Sequence, residues 1–152
     1  MVNKDVSIKV TVPNASAGIG PLLAMQRRLR NLEPTLAQIG GMLESRVNLR
    51  FDTKTDPDGK PWRPWSTATA KAREKERRGT LLEYTGAMRA SLRWNLEKHT
   101  LTVGFGVDYV KRHEQAKNPN RLRRILTDSA GKISAGDEAA VMRMLNNYIN
   151  GA

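Results

Sequence analysis

The segment FDTKTDPDGKPWRPW, residues 51–65, constrains the fold of this chain more than any other stretch. Its Asp58-Gly59 pair suits a tight turn that needs positive φ, and prolines on both sides of the turn fix φ there. The segment therefore predicts an ordered loop between two arms of the chain. Trp62 and Trp65 lie in this loop. A tryptophan in a rigid polar loop is either an anchor that packs onto its own domain, the commoner case, or a contact for a partner.

Length and charge predict a single domain with an acidic partner. A chain of 152 residues with 39% hydrophobic content suits one ordinary domain and is short for two, so residues 1–152 are expected to form one domain. The 26 Lys and Arg residues outnumber the 15 Asp and Glu residues and give a net charge of +11. This charge indicates nucleic acid, an anionic membrane or an acidic protein face as a partner. Because no stretch resembles a membrane span or a signal peptide, we expect a soluble, unprocessed chain without a membrane partner.

The first arm has the pattern of one strand and one long helix. Alternating apolar residues predict a strand over residues 5–12. Apolar residues then recur at steps of three and four over residues 22–43, which predicts a helix with one narrow apolar stripe. Pro34 falls inside this helix, and because the stripe stays in phase across it, the pattern favours a kink over a restart. The stripe packs either against the sheet of its own domain or against a neighbouring subunit.

The second arm opens with a basic helix. Ser66 is a suitable N-cap and Gly79 a suitable stop for a helix over residues 66–78, which has no apolar stripe and should lie on the surface. A solvated face is the default interpretation of such a helix, and recognition of an acidic partner is the sharper one. With the two loop tryptophans, the candidate partner-interface residues are Trp62, Trp65, Lys71, Arg73, Lys75, Arg77 and Arg78.

A hairpin and a second basic segment complete the chain. Residues 93–98 and 101–107 are predicted strands, and alternating glycines in the second suggest that another backbone, or a ring such as Trp94, lies close against it. Residues 123–127 are a candidate fourth strand. Ser134 and Asp137 resemble a capping box at the start of a C-terminal helix. The strongest local basic bias lies in residues 108–124, and its candidate basic patch is Lys111, Arg112, Arg121, Arg123 and Arg124.

These elements predict the α+β class, with a small, mostly antiparallel sheet packed against a long N-terminal helix and accompanied by shorter helices. No catalytic, cofactor or metal site is predicted. Cysteine is absent, the two histidines are not spaced as metal ligands, and the Asp56-Pro57-Asp58-Gly59 turn lacks the ligand spacing of a calcium loop. His113 beside Glu114 is interpreted as a structural hydrogen-bonding residue, not a general base. The protein is therefore not expected to be an enzyme.

Five motifs occur in an informative order: RF at residues 50–51, DPDGKPW at 56–62, LLEYTGAMRASL at 81–92, VGFGVDYVKRHEQ at 103–115 and RRIL at 123–126. Together they resemble the phage virion morphogenesis, or tail completion, family of tailed bacteriophages. The chain departs from the family pattern at Lys117 and Thr127, where the family favours glycine.

The resemblance implies a non-catalytic α+β protein that works by assembly at the head-proximal end of the tail, as a completion or terminator component of the head-tail junction. It implies a ring, with six subunits expected from tail symmetry, that docks on the tail tube and on neck or connector proteins. Two partners fit the basic surfaces of such a ring: the phosphates of DNA that passes through its bore, or acidic faces of neighbouring proteins, which we favour for residues 71–78. The protein would lie in the virion, and in the host cytoplasm during assembly. The competing interpretation, from the charge alone, is a basic nucleic-acid-binding protein.

Overall fold

A three-stranded antiparallel sheet and one long helix form the centre of the structure. The computed structural model describes residues 2, 6–11, 22–77 and 79–152. Strands β1 (Ser7–Thr11), β2 (Leu92–Glu97) and β3 (Thr100–Phe105) pair in the order β1-β3-β2. The helices are α1 (Leu22–Arg30), α2 (Glu33–Thr53), α3 (Thr67–Glu76), α4 (Ala87–Ala90), α5 (Lys111–Glu114) and α6 (Ala135–Asn150), and a 3-10 turn, Asp108–Val110, precedes α5. The predicted α+β class is confirmed. The predicted strand end at residues 12–14 and the helix start at Pro21 lie outside the described residues.

The predicted long helix is divided in two. Helix α1 ends at Arg30, and α2 begins at Glu33 with Pro34 in its first turn, where the missing N–H costs nothing. The predicted kink is wrong, because the backbone leaves the helix at residues 31–32. In a continuous helix the ring of Pro34 would clash with the carbonyl of Arg30. Helix α2 also extends to Thr53, beyond the apolar stripe predicted over residues 22–43 and into the segment predicted to be a loop from residue 51.

The apolar stripe of α2 packs inside its own domain. Helix α2 contacts β2 and β3 and also α6. The Phe51 ring meets the Phe105 ring edge-on, with centroids 6.1 Å apart, and the Trp62 ring at 5.6 Å. The fully buried members of the stripe are Leu36, Ile39, Leu43, Val47 and Phe51. Each such side chain contributes about 1.5–3 kcal/mol by leaving water, so the stripe supplies the helical half of the core.

The hairpin of β2 and β3 lies where the sequence predicts it, with Lys98 at φ 54 in the connecting turn. Of the two alternatives for the glycines of the second strand, the close approach of another backbone is confirmed at Gly104, where a Cβ would lie 3.0 Å from the carbonyl oxygen of Val6. The alternative of Trp94 is wrong, because its ring packs on α2. There the ring lies so close to Gly40 that a Cβ at that position would be 2.6 Å from it. Gly40 therefore sets the distance between α2 and β2.

The candidate fourth strand, residues 123–127, is absent, because its backbone donors are used by a side chain. The carboxylate of Glu114, which is 1% exposed, accepts hydrogen bonds from the N–H of Ile125 at 2.7 Å, of Leu126 at 3.2 Å and of Thr127 at 2.7 Å. The Thr127 hydroxyl donates to the same carboxylate at 2.6 Å. Residues 125–127 thus form a loop around the Glu114 carboxylate. Their N–H groups are therefore not available to pair with a neighbouring strand.

A buried ion pair joins the two longest helices. Ser134 caps α6 as predicted, by accepting a hydrogen bond from the N–H of Asp137 at 3.2 Å. The Asp137 carboxylate is itself fully buried and binds Arg46 at 2.6 Å and Arg50 of α2. Arg50 also donates to the carbonyl of Ile125 at 2.7 Å. One guanidinium therefore fixes α2, α6 and the loop around Glu114 relative to each other.

Helix α3 lies on the surface, as its sequence predicts, and none of its residues is buried. Ser66 caps it by accepting a hydrogen bond from the N–H of Thr69 at 3.3 Å. The helix ends at Glu76, earlier than predicted, because Arg77 adopts the left-handed conformation that closes it. Gly79 does not end the helix. Its φ is +76 and a Cβ there would lie 2.8 Å from the Cα of Tyr84, so only glycine fits this approach.

Candidate protein-docking cleft

The loop predicted over residues 51–65 begins after α2 ends at Thr53, and its central turn is built as the sequence predicts. Gly59 has φ +82, and the Asp56 carboxylate accepts hydrogen bonds from the N–H groups of Asp58 at 2.9 Å and Lys60 at 2.8 Å. The N–H of Trp62 then donates to the carbonyl of Lys54 at 2.7 Å, which closes the loop. These bonds hold the chain that follows, including Trp65, in a fixed position.

Trp62 is the internal anchor of this loop. Its side chain is 5% exposed, and the indole N–H donates to the carbonyl of Arg124 at 2.8 Å. Trp62 is therefore an anchor that packs onto its own domain, the first of the two interpretations of the loop tryptophans. Its proposed contact with a partner does not fit this burial. Trp65 is half-buried and borders the cleft described below.

Arg123 holds the same loop from the other side. Its guanidinium donates to the carbonyls of Arg63 at 2.8 Å, Pro64 at 3.1 Å and Arg121 at 3.4 Å. Burial lowers the pKa of Arg123, and the charge of Arg63 lowers it further. The predicted membership of Arg123 in a surface patch is wrong, because the residue is 8% exposed and its hydrogen bonds are internal. All three acceptors are carbonyls, so this guanidinium has no anionic partner among the described residues.

A cleft of about 550 Å³ lies between the start of α3, the segment before α4 and the segment after β3. Its aromatic lining comes from Trp65, Tyr84 and Tyr109, and its deeper apolar lining includes Leu82 and the buried Met88. The basic and imidazole groups that line it are Arg73, Arg121, Arg123 and His113. None of the described residues that line the cleft is an Asp or Glu. The cleft is therefore a positively charged, partly aromatic concavity.

The cationic groups of the cleft come from both predicted basic segments. Arg73 of α3 lies over the Tyr84 ring, 3.7 Å from its centroid, and pairs with Glu76 at 3.2 Å. Arg121, from the segment after α5, is exposed. The sequence suggested two separate basic surfaces, whereas the structure brings these arginines onto one cleft.

His113 is the titratable group of the cleft. Burial lowers its pKa, and the charge of Arg123 lowers it too, against the opposing effect of a hydrogen bond with the backbone of Arg121. The imidazole is therefore neutral at pH 7, and its buried Nδ1 has no hydrogen-bond partner within the part of the chain that the structure describes. The interpretation of His113 as a structural hydrogen-bonding residue therefore stays a prediction, since its Nδ1 takes no part in such a bond among the described residues.

A strained turn forms one side of the cleft. The N–H of Glu83 donates to the carbonyl of Thr80 at 2.9 Å, and Leu82 inside this turn has φ 64, a conformation that leucine rarely adopts. The Glu83 carboxylate holds the turn by accepting hydrogen bonds from Lys54 at 2.5 Å and Arg89 at 3.1 Å. Partial burial alone would raise the pKa of Glu83, but these hydrogen bonds outweigh it and lower the pKa.

The other predicted interface residues lie outside the cleft. Lys71, Lys75 and Arg77 are exposed on or after α3, and Arg78 is outside the described residues. On α5, Arg112 is exposed and Lys111 half-buried; the half-buried Arg124 donates to the carbonyl of Glu114 at 3.5 Å.

Sequence reasoning missed the polar and aromatic lining residues Tyr84, Tyr109, Asn118 and Asn120. The signal for the two tyrosines was present, because each stands in a recognised motif, LLEYTG or VDYVK.

Within the described residues, no three His, Cys, Asp or Glu side chains are grouped so that they could hold a metal ion, and no helix is long and apolar enough to cross a membrane. In a comparison with known protein families, the phage virion morphogenesis family matches residues 16–144. No curated protein and no solved structure matches the chain.

Proposed function

The chain belongs to the phage virion morphogenesis family, and we propose that it acts as a structural assembly protein at the head-proximal end of a bacteriophage tail. The match over residues 16–144 supports this proposal, because it covers the long helix, the hairpin of β2 and β3, the loop and the cleft. The role is completion or termination of the tail at the head-tail junction, by docking and without catalysis.

A ring of identical subunits is the form in which this protein would work. The apolar stripe of α2 is buried inside the domain, so contacts between subunits must involve other surfaces. Large apolar side chains that an interface would bury are exposed at Leu23 on α1, Leu49 on α2 and Met142 on α6. Closed heterologous contacts give a ring, which would cap the tail tube and face the neck, with six subunits expected from tail symmetry.

The basic surface of α3 gives this ring a means of docking. Lys71, Lys75 and Arg77 are exposed, and a ring repeats them around its axis so that their fields add. Acidic faces of tail-tube or neck proteins are the partners that we propose for them. Trp65, held by the rigid loop at the start of α3, is the aromatic side chain next to this charged rim.

The test compares two charge-reversal variants. The first carries Lys71→Glu, Lys75→Glu and Arg77→Glu; the control carries Lys60→Glu, Lys98→Glu and Lys132→Glu, which are also exposed and change the net charge equally. Both are purified and mixed with tail tubes, and co-sedimentation is measured. We expect the first variant to lose binding while the control keeps it. Equal binding by both would show that α3 is only a solvated face.

A salt titration with duplex DNA separates the competing function. Phosphate-dominated binding weakens steeply with salt. Submicromolar DNA binding at about 0.15 M salt, lost in the α3 variant, would favour a nucleic-acid-binding protein over protein docking.

A further inference from the structure

We propose that the cleft beside α3 binds an acidic peptide segment of a neighbouring virion protein, with an aromatic or large apolar side chain between carboxylates. This inference rests on the proposed assembly function and names the chemistry of one partner.

The charges of the cleft favour an anion. Arg73 of α3 and two arginines of the segment after α5, Arg121 and Arg123, line it, and no acidic side chain among the described residues does. Because Arg73 already pairs with Glu76, the anion would bind Arg121 and Arg123. Arg123 is 8% exposed and is hydrogen-bonded only to carbonyl groups. A buried guanidinium without a counter-charge is unfavourable, and a carboxylate that enters the cleft would supply that charge.

The apolar lining accounts for the anchor side chain. The half-buried Leu82 and the buried Met88 line the cleft together with Trp65, Tyr84 and Tyr109. Aromatic, methionine and arginine side chains around a desolvated centre are the composition of protein-protein hot spots. The cleft volume of about 550 Å³ falls within the range of about 300–1,000 Å³ that is usual for pockets that enclose a ligand. It suits a few side chains of a peptide and not a whole protein surface.

The geometry favours a peptide over a nucleic acid. A stacking platform for bases needs open aromatic faces, and here the guanidinium of Arg73 covers one face of Tyr84 at 3.7 Å. Tracking of a phosphate backbone needs a row of exposed cations, whereas only Arg121 of the three arginines that line the cleft is exposed.

The binding test uses fluorescein-labelled Glu-Glu-Phe-Glu-Glu as the probe, with Glu-Glu-Ala-Glu-Glu and Lys-Lys-Phe-Lys-Lys as matched peptides and a ten-nucleotide oligothymidine as competitor. Fluorescence anisotropy is measured on the full chain. We expect saturable binding of the first peptide, weaker binding of the alanine peptide and none of the lysine peptide. Arg121→Glu should weaken the binding of the first peptide by about tenfold, because it reverses a charge at the cleft. Arg112→Glu, exposed and outside the cleft, should change binding by less than about twofold.

Three results would overturn the inference: no saturable peptide binding, an equal loss in both variants, or displacement of the peptide by the oligothymidine at lower concentration than by unlabelled peptide. The last result would assign the cleft to single-stranded nucleic acid. Circular dichroism of each variant shows whether it keeps the wild-type fold.

Complementation separates this inference from the proposed function. Phage that lack the protein are supplied with wild type, Arg121→Glu or Arg112→Glu. Failure of Arg121→Glu alone supports a role for the cleft in assembly. Full rescue by Arg121→Glu would refute that role and leave the assembly function standing, whereas normal particles without any supplied protein would refute the function itself.

Discussion

Two adjacent glycines of α2 should respond in opposite directions to the same substitution. Gly40 and Gly41 both lie in the interior of α2, where alanine is favoured over glycine by about 1 kcal/mol. A Cβ on Gly41 meets no atom within 4 Å. Gly41→Ala should therefore stabilise the protein by about 0.5–1 kcal/mol.

A Cβ on Gly40 would lie 2.6 and 2.8 Å from two ring carbons of Trp94, closer than real contacts. The ring is held between α2 and the sheet, so helix and strand must move apart. Such overpacking costs typically about 1–3 kcal/mol, which offsets or exceeds the gain in helix propensity. Gly40→Ala should be less stable than Gly41→Ala by about 1–3 kcal/mol.

Urea unfolding followed by tryptophan fluorescence measures both values, and the near-UV circular dichroism of Trp94 should change in Gly40→Ala only. Equal stabilisation by the two substitutions would refute the close packing of Trp94 on α2.

Three further predictions concern buried polar groups. Glu114→Gln places an amide N–H against backbone donors, so it should lower the free energy of urea unfolding by about 2–4 kcal/mol and speed hydrogen exchange at residues 125–127. The control, Glu74→Gln at an exposed position, should change stability by less than about 0.5 kcal/mol. Equal effects of the two substitutions would contradict the role of Glu114. Asp137→Asn leaves Arg50 without its counter-charge and should cost about 3–5 kcal/mol, so a loss below about 1 kcal/mol would refute that ion pair as a link between α2 and α6. Because the folded pKa of His113 lies below its ordinary value of 6.5, its contribution to stability is present above pH 6.5 and is lost as pH falls through the folded pKa. His113→Gln should therefore flatten the stability profile between pH 7 and 5, and an unchanged slope would contradict the lowered pKa.

The sequence predicts the fold correctly wherever a local pattern of residues decides the structure. The alternation of β3, the cap at Ser66 and the turn at Gly59 are local features, and the structure has all three. The helix stripe also predicts the core correctly. Its ending was missed because Phe51 continues the stripe into a segment whose prolines suggest a loop.

The wrong predictions concern residues whose structure depends on long-range contacts, which no local sequence pattern encodes. Ile125 and Leu126 look like a strand, but Glu114 takes their N–H groups. Arg123 looks like a surface charge, yet it donates to the loop carbonyl groups of Arg63 and Pro64. For the same reason, the sequence could name Trp65 and the arginines of the candidate site but could not place them on one cleft.

The head-proximal role is tested most directly by electron microscopy of phage particles assembled without this protein. The account predicts filled heads and tails that remain separate, or tails of abnormal length, with infectivity restored when the wild-type chain is supplied. Normal infectious particles in the absence of the protein would contradict it.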